Sequence, residues 1–247
     1  MTTLARMRAL RFLLVSTVLL AIPVTAWMLH KGYVEVPARF NPWAPLDIAE
    51  KPGVFTRMKL QRLGELPPAA CYAWLDTAGV RHTPIADRHE TESCGWHGAT
   101  RLSALGGVRL SSPAPLACPE VAALALWERH ALQPAALVHL GSRVSRIDHL
   151  GSYACRNIYG GSYDRRSEHA RANALDVAAF RMADGRTVSV LKGWRKGDVV
   201  PMPLEALFLR EASRGACPFF SAVLGPEYNA AHRDHLHLDL GVYRVCS

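Results

Sequence analysis

The chain opens with an apolar run whose pattern differs from that of everything after it. Phe12–Leu29 is 18 residues long and uncharged, and three arginines precede it. As a helix it would reach about 27 Å, close to the thickness of a bilayer core. Arginines before the run favour a cytoplasmic N-terminus. We therefore predict a single-pass inner-membrane signal anchor over 1–31 with the remainder in the periplasm. A signal peptide cleaved after Val24-Thr25-Ala26 is the alternative.

The segment 32–65 has a different character. It contains four prolines, and most of it has neither a helical nor a strand period, which is typical of a linker. Only Thr56–Leu66 has the spacing of a short amphipathic helix, which Pro67 and Pro68 would stop. We predict a Pro-rich linker over 32–65 and a compact domain over 66–247.

Within 66–247, short apolar runs alternate with longer amphipathic ones. The predicted strands are Gly107–Leu110, Leu137–Ile147, Leu175–Met182, Thr187–Leu191 and His235–Leu240, and the predicted helices are Cys118–Leu132 and Leu204–Ser213. Asp184-Gly185 is a typical hairpin turn between two of these strands. Hairpins joining neighbouring strands predict an α+β fold, an antiparallel sheet with flanking helices.

Composition and charge exclude several classes of protein. The chain has 247 residues, of which 49% are hydrophobic and 20% charged, so it can form a sizeable core. The net charge is +8, but the first 31 residues carry half of it, and no run of Lys or Arg after them exceeds two. A nucleic-acid-binding protein usually shows a clustered basic stripe, and we therefore expect no nucleic-acid partner.

The cysteines indicate an oxidising compartment. There are six and none forms a CxxC motif: Cys71, Cys94, Cys118, Cys155, Cys217 and Cys246. An even number in an exported chain predicts three disulfides, with fifteen possible connectivities. The pairing we favour is Cys71–Cys94, because these two flank a short candidate hairpin. Buried free thiols are the alternative.

The segment His232–Asp239 combines metal-binding side chains with a strand period. Residues two apart in a strand share a face, so His235, His237 and Asp239 point one way and the leucines between them the other. The leucines predict a face packed on a core. The opposite face then presents two imidazoles and a carboxylate.

Asp176 also needs a partner. It lies in an apolar strand, where alternation places it with Ala174, Ala178 and Phe180. An unpaired buried carboxylate is very costly, so a metal ion or a cationic group is expected beside it.

We predict one Zn²⁺ held by His169, Asp176 and His237. Three protein ligands leave a fourth position for water, the pattern of a catalytic rather than a structural site. Hydrolysis then needs a base, for which Asp234 and His235 both remain candidates. Asp239 would orient an imidazole.

Several motifs carry a resemblance to a known family. They are Gly151-Ser152-Tyr153-Ala154-Cys155-Arg156, Ser167-Glu168-His169, Ala174-Leu175-Asp176 and His232–Asp239. Over about Leu66–Cys246 the chain resembles the bacterial extensin-like C-terminal domain family. That domain is similar in turn to zinc peptidases that cut peptidoglycan stem peptides, such as D-alanyl-D-alanine carboxypeptidases and murein endopeptidases.

The resemblance implies a zinc-peptidase-like fold and roles for particular residues. Ser167, His169, Ala174 and Asp176 match the pattern Ser-x-His-x-x-Gly-x-Ala-x-Asp, with Ala172 where those enzymes have Gly. Arg156 would bind a substrate carboxylate or the developing oxyanion, and Ser167 would also contact substrate. The implied activity is hydrolysis of amide bonds in peptidoglycan stem peptides. A catalytically inactive cell-wall-binding or scaffolding domain is the alternative, and a structural envelope protein without metal is a third.

Overall fold

The N-terminal region is one long apolar helix. The computed structural model describes residues 3–33, 36–158, 165–197 and 200–247, and its first element is α1, Thr3–His30. Within it, Arg6–His30 is long and apolar enough to cross a membrane, and its most apolar 18-residue window has a mean hydropathy of 2.2 with none of the window buried. A signal sequence has the same properties, so α1 is either a membrane span or a signal.

A mixed sheet organises the rest of the molecule. Its strands are β1 (Val80–Pro84), β4 (Ala99–Leu105), β5 (Val108–Ala117), β6 (Val144–Gly151), β7 (Ala174–Met182), β8 (Thr187–Ser189), β9 (Ala222–Leu224), β10 (Leu236–Asp239) and β11 (Val245–Cys246), while β2 (Arg88–Thr91) and β3 (Cys94–Trp96) form a separate hairpin. The order is β1-β4-β5-β6-β7-β10-β9-β11, with β8 also pairing with β7. The β5–β6 and β9–β11 pairs are parallel. The expected antiparallel sheet is therefore mixed, because a helical crossover separates β5 from β6.

Helices cover one face of this sheet. They are α2 (Thr56–Glu65), α3 (Pro68–Thr77), α4 (Cys118–Trp127), α5 (Gln133–Leu140), α6 (Val190–Gly193) and α7 (Leu204–Arg214). α4 is the central one, since nine of its ten residues are buried. Trp127 at its end packs on Phe180 and Phe220 and donates a hydrogen bond to the carbonyl of Ala212 in α7 at 2.9 Å. The core thus lies between these helices and one sheet face.

Part of the segment predicted as a linker packs against the domain. Leu60 and Leu63 of α2 are in the core. Upstream of α2, the carbonyl of Leu46 accepts a hydrogen bond from the Trp74 indole at 2.8 Å. Within the segment itself, the carbonyl of Ala38 accepts a hydrogen bond from the Lys59 ammonium of α2 at 2.7 Å.

Two of the predicted elements are wrong in type over part of their length. The predicted strand Leu137–Ile147 begins as the end of α5, and β6 starts only at Val144. Pro134 does not stop the helical path, because a π-helical turn at Glu128–Leu132 continues from α4 and Pro134 lies in the first turn of α5. The predicted strand Thr187–Leu191 ends early and turns into α6.

The six cysteines form three disulfides, as predicted, but the pairing that we favoured is wrong. The bonds join Cys71 to Cys118, Cys94 to Cys155, and Cys217 to Cys246. Cys71 lies in α3 and not beside a hairpin, and it faces the start of α4. Cys94 lies on the β2–β3 hairpin and connects that hairpin to the segment after β6.

Candidate metal centre

The centre of the candidate site is the pairing of β10 with β7. His237 and Asp176 are direct partners in this antiparallel register. Leu236 and Leu238 of β10 are completely buried on the helix side, so alternation turns His237 and Asp239 to the opposite face. The strand that we predicted from its leucines therefore exists, and its imidazole meets the carboxylate of the neighbouring strand.

Asp176 does not share its face with Phe180. Leu175, Val177 and Phe180 all belong to the core, which strict alternation forbids. The β6–β7 register shifts between Asp148 and His149, where Ala179 and Val177 are the partners. This bulge turns Phe180 inward, whereas Asp176 stays on the outer face. The predicted grouping of Asp176 with Phe180 is wrong for that reason.

His169 comes from a short 3-10 turn, Glu168–Arg171, that precedes β7. The Ser167 side chain caps this turn by accepting a hydrogen bond from the backbone N–H of His169 at 3.4 Å. The turn ends at Ala172, whose φ of 53° is left-handed, the conformation for which glycine is usual. Ala172 therefore adopts the left-handed backbone conformation that glycine adopts most easily, and glycine is the residue that the zinc peptidases have at this position.

The geometry fits one small cation. Nε2 of His169 lies 3.2 Å from Oδ1 of Asp176 and 3.2 Å from Nδ1 of His237. The same Oδ1 and Nδ1 atoms are 2.9 Å apart. Ligands at about 2.0–2.1 Å from a tetrahedral zinc are roughly 3.3 Å from one another. These three donors, grouped within 4.8 Å, are thus nearly at coordination spacing, and their N/O chemistry suits zinc.

The two candidate bases occupy different positions. Nε2 of His235 lies 3.5 Å from Oδ1 of Asp176, and its ring lines the cavity above the site. Nδ1 of His235 is 2.8 Å from Oδ1 of Asp234. Asp234 is more exposed and lies behind His235, so it can orient this ring and fix its tautomer.

The carboxylates of Asp176 and Asp239 stabilise a positive charge at His237. Burial opposes the charged form of His237, but hydrogen bonds to Asp176 and Asp239 outweigh it and raise the pKa of His237 to about 9. Burial would raise the pKa of Asp176, yet hydrogen bonds from His169 and His237 hold this pKa well below its usual range. Oδ2 of Asp239 binds Nε2 of His237 at 2.8 Å. Nδ1 of His237 is thereby directed toward the other donors.

His232 behaves differently from these histidines. It is largely buried, and burial together with the charges of His237 and His235 lowers its pKa to about 4. Its Nδ1 lies 2.8 Å from Oδ1 of Asn229. His232 therefore adds a neutral imidazole to the wall of the site.

A cavity of about 700 Å³ opens over these residues. Arg156 lines it, as do Arg165, Arg171 and Tyr243, which sequence reasoning missed. The guanidinium of Arg165 lies 4.7 Å from the centre of the Tyr243 ring, so this contact bridges two walls of the cavity. The only available signal was the Arg165-Arg166 pair next to Ser167. Arginines and the candidate ligands Asp176 and His237 thus line the same cavity.

Comparison with known proteins identifies the domain. The model of the family described as extensin-like protein C-terminus matches residues 69–247. The chain belongs to the extensin-like C-terminus family. No curated protein and no solved structure matches it. The matched part of this extensin-like chain begins in α3 and contains the whole sheet and the candidate site.

One disulfide of the extensin-like domain lies beside the cavity. Cys155, which precedes Arg156, is bonded to Cys94 of the β2–β3 hairpin. Nε of Arg166 also donates a hydrogen bond to Oγ of Ser93 in that hairpin at 2.7 Å. The hairpin is thus attached at two points to the segments that carry the cavity's arginines.

Replacing both Cys94 and Cys155 by serine is expected to lower the free energy of unfolding by about 2–4 kcal/mol. It should also increase amide hydrogen exchange in the hairpin and around Arg156, as measured by mass spectrometry. Replacing Cys217 and Cys246 is the matched control and should leave exchange in the hairpin unchanged. Equal protection of the hairpin in both variants would contradict the prediction.

Proposed function

We propose that this extensin-like domain is a zinc-dependent hydrolase of peptide amide bonds in peptidoglycan. The observation that carries the proposal is the set of three facing donor atoms on His169, Asp176 and His237, between 2.9 and 3.2 Å apart. The resemblance of the motifs to stem-peptide peptidases supports the substrate class, and the arginine-lined cavity suits peptides that carry free carboxylates.

Each residue has a defined task in this proposal. A bound zinc ion would lower the pKa of water to about 7 and polarise the scissile carbonyl. His235 accepts the proton from the attacking water, because its ring faces the cavity and Asp234 holds the other nitrogen. Arg156 binds a carboxylate of the substrate or the negative charge that develops on the carbonyl oxygen.

A specific distance also supports a second function. Nε2 of His235 is only 3.5 Å from Oδ1 of Asp176, close enough for His235 to become a fourth ligand after a small rotation. Four protein ligands would close the site, as in structural zinc centres. The domain would then be a cell-wall-binding or scaffolding module without turnover.

Replacing His235 by alanine distinguishes the two functions. If His235 is the base, the full-length protein in detergent should retain about one zinc per chain and lose at least about 100-fold in hydrolysis of muropeptides. Asp234→Asn should show a smaller loss of activity with the same zinc content. Loss of zinc from His235→Ala would favour the closed site, and a zinc-loaded wild type without hydrolysis of any muropeptide would contradict the enzyme.

The proposed location is the periplasmic side of the inner membrane. The helix α1 supports it by its length and apolarity, and the three disulfides agree with an extracytoplasmic domain. Mass spectrometry of the mature N-terminus tests the anchor. A mature chain that starts near Trp27 would show instead that α1 is a cleaved signal.

A further inference from the structure

Four arginines form one row across the sheet. The register pairs Arg81 with Ala104, Ala104 with Arg109, and Arg109 with Arg146. It continues from Arg146 to Arg181. The final pair joins Arg181 to Thr187 of β8. The four arginines thus lie on one line across five neighbouring strands, β1 to β7 in sheet order, and the line from Arg81 to Arg181 is about 19 Å long at the usual spacing between strands.

This row faces away from the helices. Leu110, Ile147 and Phe180 lie next in sequence to members of the row and belong to the core. Arg81, Arg109 and Arg181 are exposed, and Arg146 is partly exposed. The sheet face opposite the helices is therefore basic along this line, with arginine side chains exposed on either side of the buried Ala104.

The row has few counter-charges. Asp148 is 2.6 Å from Nε of Arg146 and 3.1 Å from Nε of Arg181. Among the described residues, no carboxylate forms an ion pair with Arg81 or Arg109. Like charges directly opposite each other destabilise a sheet. Asp148 offsets this repulsion for Arg146 and Arg181, so in the part of the chain that the structure describes Arg81 and Arg109 carry the uncompensated charge of the row.

The row and the candidate metal centre share one face. The bulge in β7 leaves Asp176, Ala179 and Arg181 pointing away from the core. Asp176 and Arg181 are five residues apart along this strand, or about 15 Å. Small side chains lie between them, with Ala179 paired to Asp148. A flat polymer could therefore contact the arginines and the metal centre at the same time.

We propose that this arginine row is a docking surface for a carboxylate-bearing cell-wall polymer. Guanidinium groups bind carboxylates through two parallel hydrogen bonds, and a line of them fits an extended chain with repeated negative charges. A lipid surface fits less well, because a bilayer on this face would also cover the metal centre. The identification of the polymer as peptidoglycan rests on the proposed function.

The test is cosedimentation of the full-length protein with purified peptidoglycan sacculi at several salt concentrations. The double variant Arg109→Ser with Arg181→Ser should bind at least 10-fold more weakly and show a shallower dependence on salt. Its melting temperature should stay close to that of the wild type, because Arg109 has no ion pair among the described residues and the Arg181–Asp148 pair is a surface pair of small energy. The matched control is Arg129→Ser with Arg214→Ser, which removes two exposed arginines from the helix side and should bind like the wild type.

Further binding measurements test the proposal even if the double variant does not fold. Wild-type protein should lose binding to sacculi whose carboxylates have been converted to neutral amides. Adding His169→Ala to each protein separates docking from hydrolysis, since docking should survive without the metal centre. Equal binding by both double variants, or unchanged binding to amidated sacculi, would overturn the proposal. So would tighter row-dependent binding to phosphatidylglycerol vesicles or duplex DNA.

Discussion

Replacing His237 by alanine is expected to weaken the binding of Zn²⁺ by at least about 100-fold. The substitution removes one of three donors that lie within 3.2 Å of one another. It also leaves the carboxylates of Asp176 and Asp239 without the imidazole between them. Competition of the full-length protein with a chromophoric chelator would measure the change. Muropeptide hydrolysis, where present, should fall with it.

A second variant covers the case in which His237→Ala does not fold. His169→Ala removes a donor from the 3-10 turn and leaves the β7–β10 pairing in place, so it should give a folded protein with the same loss of zinc. His97→Ala is the matched control. His97 is exposed and pairs with Asp87, and neither residue is one of the three candidate zinc ligands. If both ligand variants bound zinc as tightly as the wild type, the predicted metal centre would be wrong.

The sequence predicts the local geometry of the site better than its surroundings. The alternation of histidines and leucines in β10 depends only on a period of two, which is visible in a few residues. The sheet face on which Phe180 lies depends on a bulge in β7, and no local sequence pattern predicts that bulge. Pro134 suggested the end of a helix, but it lies where a helix can begin again after a π-helical turn.

Features that depend on contacts between distant parts of the chain could not be predicted from the sequence. The arginine row is one of them, since its members come from four strands separated by long connections and only the register brings them together. Along the chain they appear as scattered charges, and for this reason the sequence shows no basic stripe. The pairing of Cys94 with Cys155 has the same origin, because it depends on where the β2–β3 hairpin docks.

A buried acid behind the site, Glu120, should make the stability of the protein depend on pH. Glu120 lies in the first turn of α4 and is completely buried. Neither carboxylate oxygen has a hydrogen-bond partner among the described residues. Burial raises the pKa of Glu120 well above its usual range, and the charges of Asp239 and Glu168 raise it further. The folded protein therefore keeps this carboxyl protonated where the unfolded chain ionises it.

This difference makes stability depend on pH with a definite sign. A carboxyl whose folded-state pKa is raised favours the folded state fully below the unfolded pKa. That contribution is lost as pH rises toward the folded pKa, at about 1.4 kcal/mol per pH unit. The free energy of unfolding should therefore fall through Glu120 as pH rises above about 4.3, the pKa of a glutamate in the unfolded chain.

Glu120→Gln should remove this dependence, because the amide does not ionise in either state. We expect a gain in the free energy of unfolding at pH 7 and a smaller gain near pH 4.5. Denaturant unfolding of the full-length protein with intact disulfides, at both pH values, measures it. Glu65→Gln at an exposed position of α2 is the matched control and should change stability by less than about 0.5 kcal/mol. A Glu120→Gln protein that is less stable than the wild type at pH 7 would contradict a protonated Glu120 in the folded protein.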